Sequence, residues 1–220
     1  MNNISRVALN VADMRVAYTA GTLPDSARDT PPLALFSEWI AAARETEKEA
    51  NAMTIATASK TGRPSSRIVL LKGVDASGFV FYTNYNSRKS LQLTENPFAS
   101  LTFYWGERQV RVEGPVEKVS QLESDAYFAS RPRESQIGAW VSHDQSSPVD
   151  TRAILEDREV QVKKRFEGID KIDKPPFWGG WRVVPTYIEF WQGRVGRLHD
   201  RILYERDAPE SEWKTTRLMP

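Results

Sequence analysis

The chain has no cysteine among its 220 residues and only two histidines, His143 and His199. Without thiols it can form no disulfide, thiolate zinc site, iron–sulfur cluster or cysteine nucleophile, and two histidines in dissimilar settings offer no metal-ligand spacing. No metal is expected. Long apolar runs are missing too: Ile68–Leu71 falls far short of the ~20 residues a membrane helix needs, and Met1–Thr19 lacks a basic start followed by an apolar core. These absences predict a cytoplasmic protein that does not engage a membrane. Charge of one sign is also lacking. Thirty Lys and Arg against 29 Asp and Glu leave a net +1, too balanced for a protein that coats nucleic acid. Any anion site must therefore be local.

What is present, 40% hydrophobic and 27% charged residues, suffices for one cored domain. Residues 1–32 are polar, carry Pro24, Pro31 and Pro32, and show no sustained period, which predicts a flexible N-terminal arm. Residues 33–220 read as a single domain. Leu33, Phe36, Ile40 and Ala43 repeat at helical spacing, predicting a helix that ends near Ala50. Short β-rich stretches follow at Met53–Ala58, Ser66–Lys72, Phe79–Thr83, Ala99–Trp105 and Gln109–Val119. Strands joined by turns this short cannot be parallel neighbours, so the pattern predicts a small antiparallel barrel with peripheral helices, mainly β in class. Helices are expected at Ser87–Glu95, Gln121–Ser130 and Asp150–Phe166, the last with Ile154, Leu155, Val162 and Phe166 as an apolar stripe. Trp181–Trp191, Arg201–Arg206 and Trp213–Leu218 return to strand character and should complete the sheet.

Between Lys60 and Lys89 six basic residues, Lys60, Arg63, Arg67, Lys72, Arg88 and Lys89, face one acid, Asp75. A solvated basic face is the plain alternative. Arg67 and Lys72, however, bracket the apolar Ile68-Val69-Leu70-Leu71, and residues five apart on a strand point to opposite faces, so they should serve different groups. Tyr82-Thr83-Asn84-Tyr85-Asn86-Ser87-Arg88-Lys89 runs from a strand into a helix start, where hydroxyls, amides and two cations suit a phosphate. A simple helix cap at Asn86 or Ser87 is the other reading. Neither GxxxxGK[ST] nor GxGxxG occurs. Tyr127, Arg131, Arg133 and Ser135 form a second donor cluster suited to a monophosphate or, alternatively, a salt-bridged loop. Arg197-Leu198-His199-Asp200-Arg201, if extended, puts 197, 199 and 201 on one face, where flanking guanidiniums disfavour imidazolium.

The ordered motifs Arg67-Ile-Val-Leu-Leu-Lys72, Phe81-Tyr-Thr-Asn84 with Ser87-Arg-Lys89, Glu107-Arg-Gln109, Ser130-Arg-Pro-Arg-Glu-Ser-Gln-Ile-Gly-Ala-Trp140, Phe177-Trp-Gly-Gly180, Ile188-Glu-Phe-Trp-Gln-Gly193 and Arg197-Leu-His-Asp-Arg201 resemble those of the pyridoxine (pyridoxamine) 5'-phosphate oxidase family. The resemblance runs from about Leu33 to Pro220. It implies a flavin mononucleotide (FMN) binding split barrel, working as a homodimer with FMN at the interface. Its activity would be oxidation of pyridoxine 5'-phosphate and pyridoxamine 5'-phosphate to pyridoxal 5'-phosphate by dioxygen, releasing hydrogen peroxide. FMN would be held by Arg67, Ile68, Val69, Leu70, Leu71, Lys72, Tyr82, Thr83, Arg88, Lys89, Gln109, Gln145, Ser146, Trp191 and Arg201. Substrate phosphate would fall to Lys72, Tyr127, Arg131 and Ser135, and the pyridine ring to Arg197 and His199 as catalytic residues. The chain departs from the family in having both His143 and Asp144 between Ser142 and Gln145, and in lacking a basic stretch after Arg15 and Tyr18. Competing functions are a related split-barrel oxidase acting on another ring, as in the phenazine pathway, and a non-catalytic flavin or pyridoxal-phosphate binding protein.

Overall fold

The computed structural model describes residues 11–220; the first ten residues of the expected arm lie outside the described residues. The strands are β1 (Ala52–Ala58), β2 (Pro64–Leu70), β3 (Gly73–Asp75), β4 (Gly78–Asn84), β5 (Phe98–Trp105), β6 (Arg108–Lys118), β7 (Trp178–Val183), β8 (Tyr187–Gln192), β9 (Asp200–Glu205) and β10 (Lys214–Leu218). The helices are α1 (Pro32–Ala43), α2 (Arg88–Glu95), α3 (Gln121–Ser130), α4 (Arg133–Val141) and α5 (Arg152–Arg165).

Every strand pairing is antiparallel. The long path runs β10-β9-β8-β6-β5-β1-β2, and a second path runs β3-β4-β7 and rejoins at β6. β6 belongs to both because it bends: Arg108–Glu113 pair with β8, whereas Val116–Lys118 pair with β7. Gly114 sits at the bend, where a Cβ would lie 1.9 Å from the Val184 carbonyl oxygen, so only glycine lets the two chain segments cross. The stretch Trp181–Trp191, read as one strand, is thus two. Pro185 has no N–H for a ladder, and the break lets Val184 and Thr186 bond instead to the Pro115 and Glu113 carbonyls.

Alternation along the strands separates two faces. Met53, Ile55, Leu101, Phe103, Val110, Val112, Ile188, Phe190, Ile202 and Tyr204 all face inward and are buried. α1 closes the barrel over them, with Phe36 edge-on to Phe79 and Phe103 and Trp39 edge-on to Phe190. This helix stops at Ala43 rather than Ala50, because its apolar repeat ends there and the chain turns to enter β1. α4 was not foreseen, since Pro132 reads as a break; it follows α3 after two residues and supports a smaller core of Phe128, Ile137, Phe166, Ile172 and Trp178. The stripe expected along α5 is not core: the helix buries no residue and reaches the small core only through Val162 and the Phe166 that follows it.

The described part of the arm lies on the C-terminal strands. Leu23 is buried and its N–H donates to Asp200, Tyr204 Oη donates to the Ala27 and Thr30 carbonyls, and Arg217 pairs with Asp25. Pro32 already belongs to α1, so the boundary drawn at residue 33 falls one residue inside the helix.

Candidate functional site

Among the described residues β2 is an edge strand that pairs only with β1, and this corrects the reading of Ile68–Leu71 as a buried run. Leu71 alone is buried, while Ile68 stands 64% exposed on the outer face. Registry with Ile55 and Thr57 turns Arg67 and Ser65 to the inner side, at the open edge of the barrel. There Arg67 Nη1 donates to Thr57 Oγ1 and Nη2 to Ser65 Oγ, both at 2.7 Å, with further contacts to the Ile55 and Ser65 carbonyls. All these acceptors are neutral.

β4 then delivers Thr83 and α2 delivers Arg88 and Lys89 to the same edge, with Ser87 accepting from Ser90 N–H as the helix cap. Lys89 Nζ donates to Thr83 Oγ1 at 2.9 Å, Ser87 Oγ at 3.2 Å and Gln145 Oε1 at 3.4 Å. The loop that carries Gln145 is tied down by Asn84, whose Nδ2 donates to the Ser142 and His143 carbonyls. Ser146 Oγ accepts from Arg88 N–H. Among the described residues, Arg67, Arg88 and Lys89 form no ion pair. Burial and then the Arg67 charge push the Lys89 ammonium down to about 8, and burial and then Arg88 lower Arg67. An anion placed among these three cations would relieve their mutual repulsion.

A second set lies beside it. Two adjoining cavities, about 370 and 340 Å³, share Tyr82, Arg131, Ser135 and Trp178; one extends to Thr83, Ser142 and Gln145, the other to Val69, Leu70, Lys72 and Tyr127. Tyr82 stacks on Tyr127 at 3.9 Å, and the Arg131 guanidinium lies 4.8 Å from the Trp178 ring centre. Arg131 Nη1 is buried with no hydrogen-bond partner among the described residues, and burial lowers the pKa of this arginine. Such an orphaned donor is costly unless a ligand supplies the acceptor. Arg133, counted with this cluster on sequence, turns away and donates to the Phe166 and Ile169 carbonyls.

The third set is on the other face of the sheet. Gln109, Trp191 and Arg201 are direct cross-strand partners on β6, β8 and β9, and they point outward. Arg201 Nε donates to Glu189 Oε1 at 2.8 Å; Glu189, 2% exposed, also accepts from Arg111 and from Tyr187 Oη. The carboxylate raises the Arg201 pKa, so this arginine is charge-compensated, unlike Arg67. Arg197 and His199 precede β9 and are not on an extended face with Arg201 as expected, because Val195–Arg197 forms a 3₁₀ turn with Arg197 at φ 65°. His199 lies 4.6 Å from Trp191 and 5.6 Å from Tyr18, and its Nδ1 accepts from Arg194 N–H, which places the proton of the neutral ring on Nε2. Tyr18, an arm residue, also lies 5.8 Å from the Arg197 guanidinium. Ser146 and Arg197 are the only non-glycine residues with positive φ among the described residues. Backbone strain of this kind collects at functional sites.

A family model for pyridoxamine 5'-phosphate oxidase matches residues 40–165, and one for the pyridoxine 5'-phosphate oxidase C-terminal dimerisation region matches residues 178–220. The chain belongs to the pyridoxine/pyridoxamine 5'-phosphate oxidase family. It is an oxidoreductase with that family's split barrel. Pyridoxine-5'-phosphate oxidase of Dictyostelium discoideum is 51% identical over 214 residues, 96% of this chain and 93% of that one. Pyridoxine/pyridoxamine 5'-phosphate oxidase of Rubrobacter xylanophilus is 52% identical over 214 residues, 96% and 97% of the two chains. Among solved structures, PhzG from Burkholderia lata in complex with tetrahydrophenazine-1-carboxylic acid superposes with a TM-score of 0.83 at 32% identity, covering 90% of this chain and 98% of that one. An FMN binding protein related to pyridoxamine 5'-phosphate oxidase, from Nostoc punctiforme, matches in fold with a TM-score of 0.69 at 17% identity, covering 87% and 99%.

Sequence reasoning missed Thr57, Ser65 and Gln92 as site-supporting residues, and it gave Asn84 and Glu189 no role of their own within the motifs that contain them. Each is an uncharged or paired polar group in an ordinary strand or helix, and only its buried partners give it meaning.

Proposed function

We propose that the protein oxidises pyridoxine 5'-phosphate and pyridoxamine 5'-phosphate to pyridoxal 5'-phosphate with FMN as cofactor and dioxygen as acceptor, releasing hydrogen peroxide, and ammonia from the amine. The carrying observation is the pair of separate anion sites: uncompensated Arg67, Arg88 and Lys89 in one, and the orphaned Arg131 Nη1 in the other. Two phosphates, one on the cofactor and one on the substrate, account for both. The donors fit the FMN phosphate, since charge-assisted bonds to a dianion relieve the mutual repulsion of three cations.

The flavin ring, when bound, supplies the two-electron redox chemistry. The chain's own part is placement. Lys72, Tyr127, Arg131 and Ser135 hold the substrate phosphate, which fixes the pyridine ring at a set distance from that anchor. Arg197 and His199 then flank the ring; His199, with its proton on Nε2, donates to a ring substituent, and Arg197 adds a second donor that orients the ring. Arg201, compensated by Glu189, serves a neutral polar edge of the flavin.

We assign the working unit as a homodimer. Arg67 lies on the inner side of the barrel edge and Lys89 beside it at Thr83, whereas Gln109, Trp191 and Arg201 lie on the outer face, which is the arrangement expected if the two sets serve one flavin from different chains. Two chains, each offering the opposite face, can complete the site. The dimerisation description of the 178–220 region supports this assembly. A phenazine-type oxidase is the competing reading, supported by the likeness to PhzG; the cation cavity around Arg131 favours a phosphorylated substrate. The test is direct. Purified protein should show a bound-flavin absorbance spectrum and release peroxide with either phosphorylated vitamer; a flavin-loaded protein that reduces with neither overturns the substrate, and one that never takes up flavin overturns the whole reading.

A further inference from the structure

Gln92 lies on α2, one turn beyond Arg88 and Lys89, and is buried. Its Oε1 is 2.6 Å from Thr57 Oγ1 and 2.7 Å from Ser65 Oγ. These are the two hydroxyls that receive Arg67 Nη1 and Nη2, each at 2.7 Å. The four bonds close a cycle from the glutamine through both hydroxyls to the guanidinium. The arginine sets the direction of two of them. Arginine has donors only, so both hydroxyl oxygens must accept from it, and each hydroxyl then has a single proton left to donate. In the structure both protons converge on the Gln92 amide oxygen, which faces the two hydroxyls.

We propose that Gln92 is a positioning residue of the anion cradle, holding Arg67 through Thr57 and Ser65 with neutral groups so that its charge stays available. This rests on the reading that the cradle takes the FMN phosphate. A carboxylate at the same place would orient the hydroxyls equally well but would add a negative charge beside the cradle, as Glu189 does for Arg201 on the other face. The same residue joins α2, which carries Arg88 and Lys89, to the β1–β2 edge that carries Arg67, so the three cations are held at one spacing. Thr57 and Gln92 are both buried, and the cycle gives each hydroxyl and the Gln92 amide oxygen its hydrogen-bond partners.

The experiment uses the full chain stripped of flavin and titrated with FMN, riboflavin and inorganic phosphate. Wild type should prefer FMN over riboflavin; no preference would overturn the phosphate reading itself rather than the role of Gln92. Given that preference, Gln92→Met should lower the FMN-to-riboflavin affinity ratio about tenfold, the loss of roughly one charge-assisted contact, and weaken phosphate binding in parallel. Gln92→Glu, which keeps the hydroxyl directions, should lower the ratio at least as far. On an Arg67→Met background, Gln92→Met should cost nothing further. A merely structural role would weaken FMN and riboflavin equally and would persist without Arg67. Should Gln92→Met fail to fold, Ser65→Ala on the half-buried edge strand cuts the same cycle and should lower the ratio severalfold. A ratio within twofold of wild type in Gln92→Met or Ser65→Ala, or an undiminished ratio in Gln92→Glu, overturns the proposal.

Discussion

Lys89 makes the cradle sensitive to pH in a direction set by its surroundings. Its ammonium is held by two hydroxyls and an amide oxygen, and burial, then Arg67, bring it from 10.5 down to about 8. A bound phosphate dianion supplies the opposite charge that offsets both causes, so the complex retains a proton that the free protein loses above about pH 8. With the bound phosphate restoring the ammonium to its ordinary value, affinity for FMN should be flat from about pH 6.5 to 7.5 and fall about tenfold between about pH 7 and pH 9. The phosphate does not offset this, because its second proton leaves near pH ~6. Stability of the flavin-free protein moves the other way. Between about 8 and 10.5 the unfolded chain holds the proton and the folded one does not, so the Lys89 contribution makes the folded state more stable as pH rises through that window. Fluorescence titration with FMN at constant ionic strength measures the first effect, with riboflavin as the ligand that lacks the phosphate. Lys89→Met should abolish the FMN slope. An FMN affinity that stays constant to about pH 9, or a Lys89→Met variant that keeps the slope, would refute the assignment of this ammonium to the phosphate.

Lys72→Ala and Arg131→Ala should each raise KM for the phosphorylated substrates by about tenfold, and together by less than the product, because both address one anion; a fully multiplicative loss in steady-state assays would assign them to separate groups. Arg197→Met should leave flavin content unchanged and slow anaerobic flavin reduction by pyridoxamine 5'-phosphate, with a smaller defect in His199→Asn; parental stopped-flow rates in both would remove this turn from the chemistry. Glu189→Leu leaves Arg111, Arg201 and Tyr187 without their shared acceptor. With those arginine side chains 36% and 26% exposed, the loss should be about 2–3 kcal/mol, below the ~3–5 typical of a fully buried pair, and is read by denaturant unfolding. The Tyr187 phenol, pushed up to about 12 by burial first and then by Glu189, should ionise at lower pH in the same variant, as followed by ultraviolet absorbance.

The antiparallel barrel, most strand limits within two residues, and the convergence of Thr83, Arg88 and Lys89 at a strand-to-helix turn were legible in the sequence. Alternation and short turns are local signals, and neighbours in sequence stay neighbours in space. Local pattern could not show that β6 bends at Gly114 and serves two partners, or that Trp181–Trp191 is two strands. Nor could it show that β2 is an edge with Ile68 exposed, since strand order is set by pairings between distant segments. The same limit hid the site's electrical character. Arg67 and Arg201 are alike as letters, yet one is held by Thr57 and Ser65 and keeps its charge, while the other is neutralised by buried Glu189. Sequence by itself determined which residue types were available and at what spacing; tertiary structure alone decided which faces they share, because the fate of a charge depends on the partner brought to it across the fold.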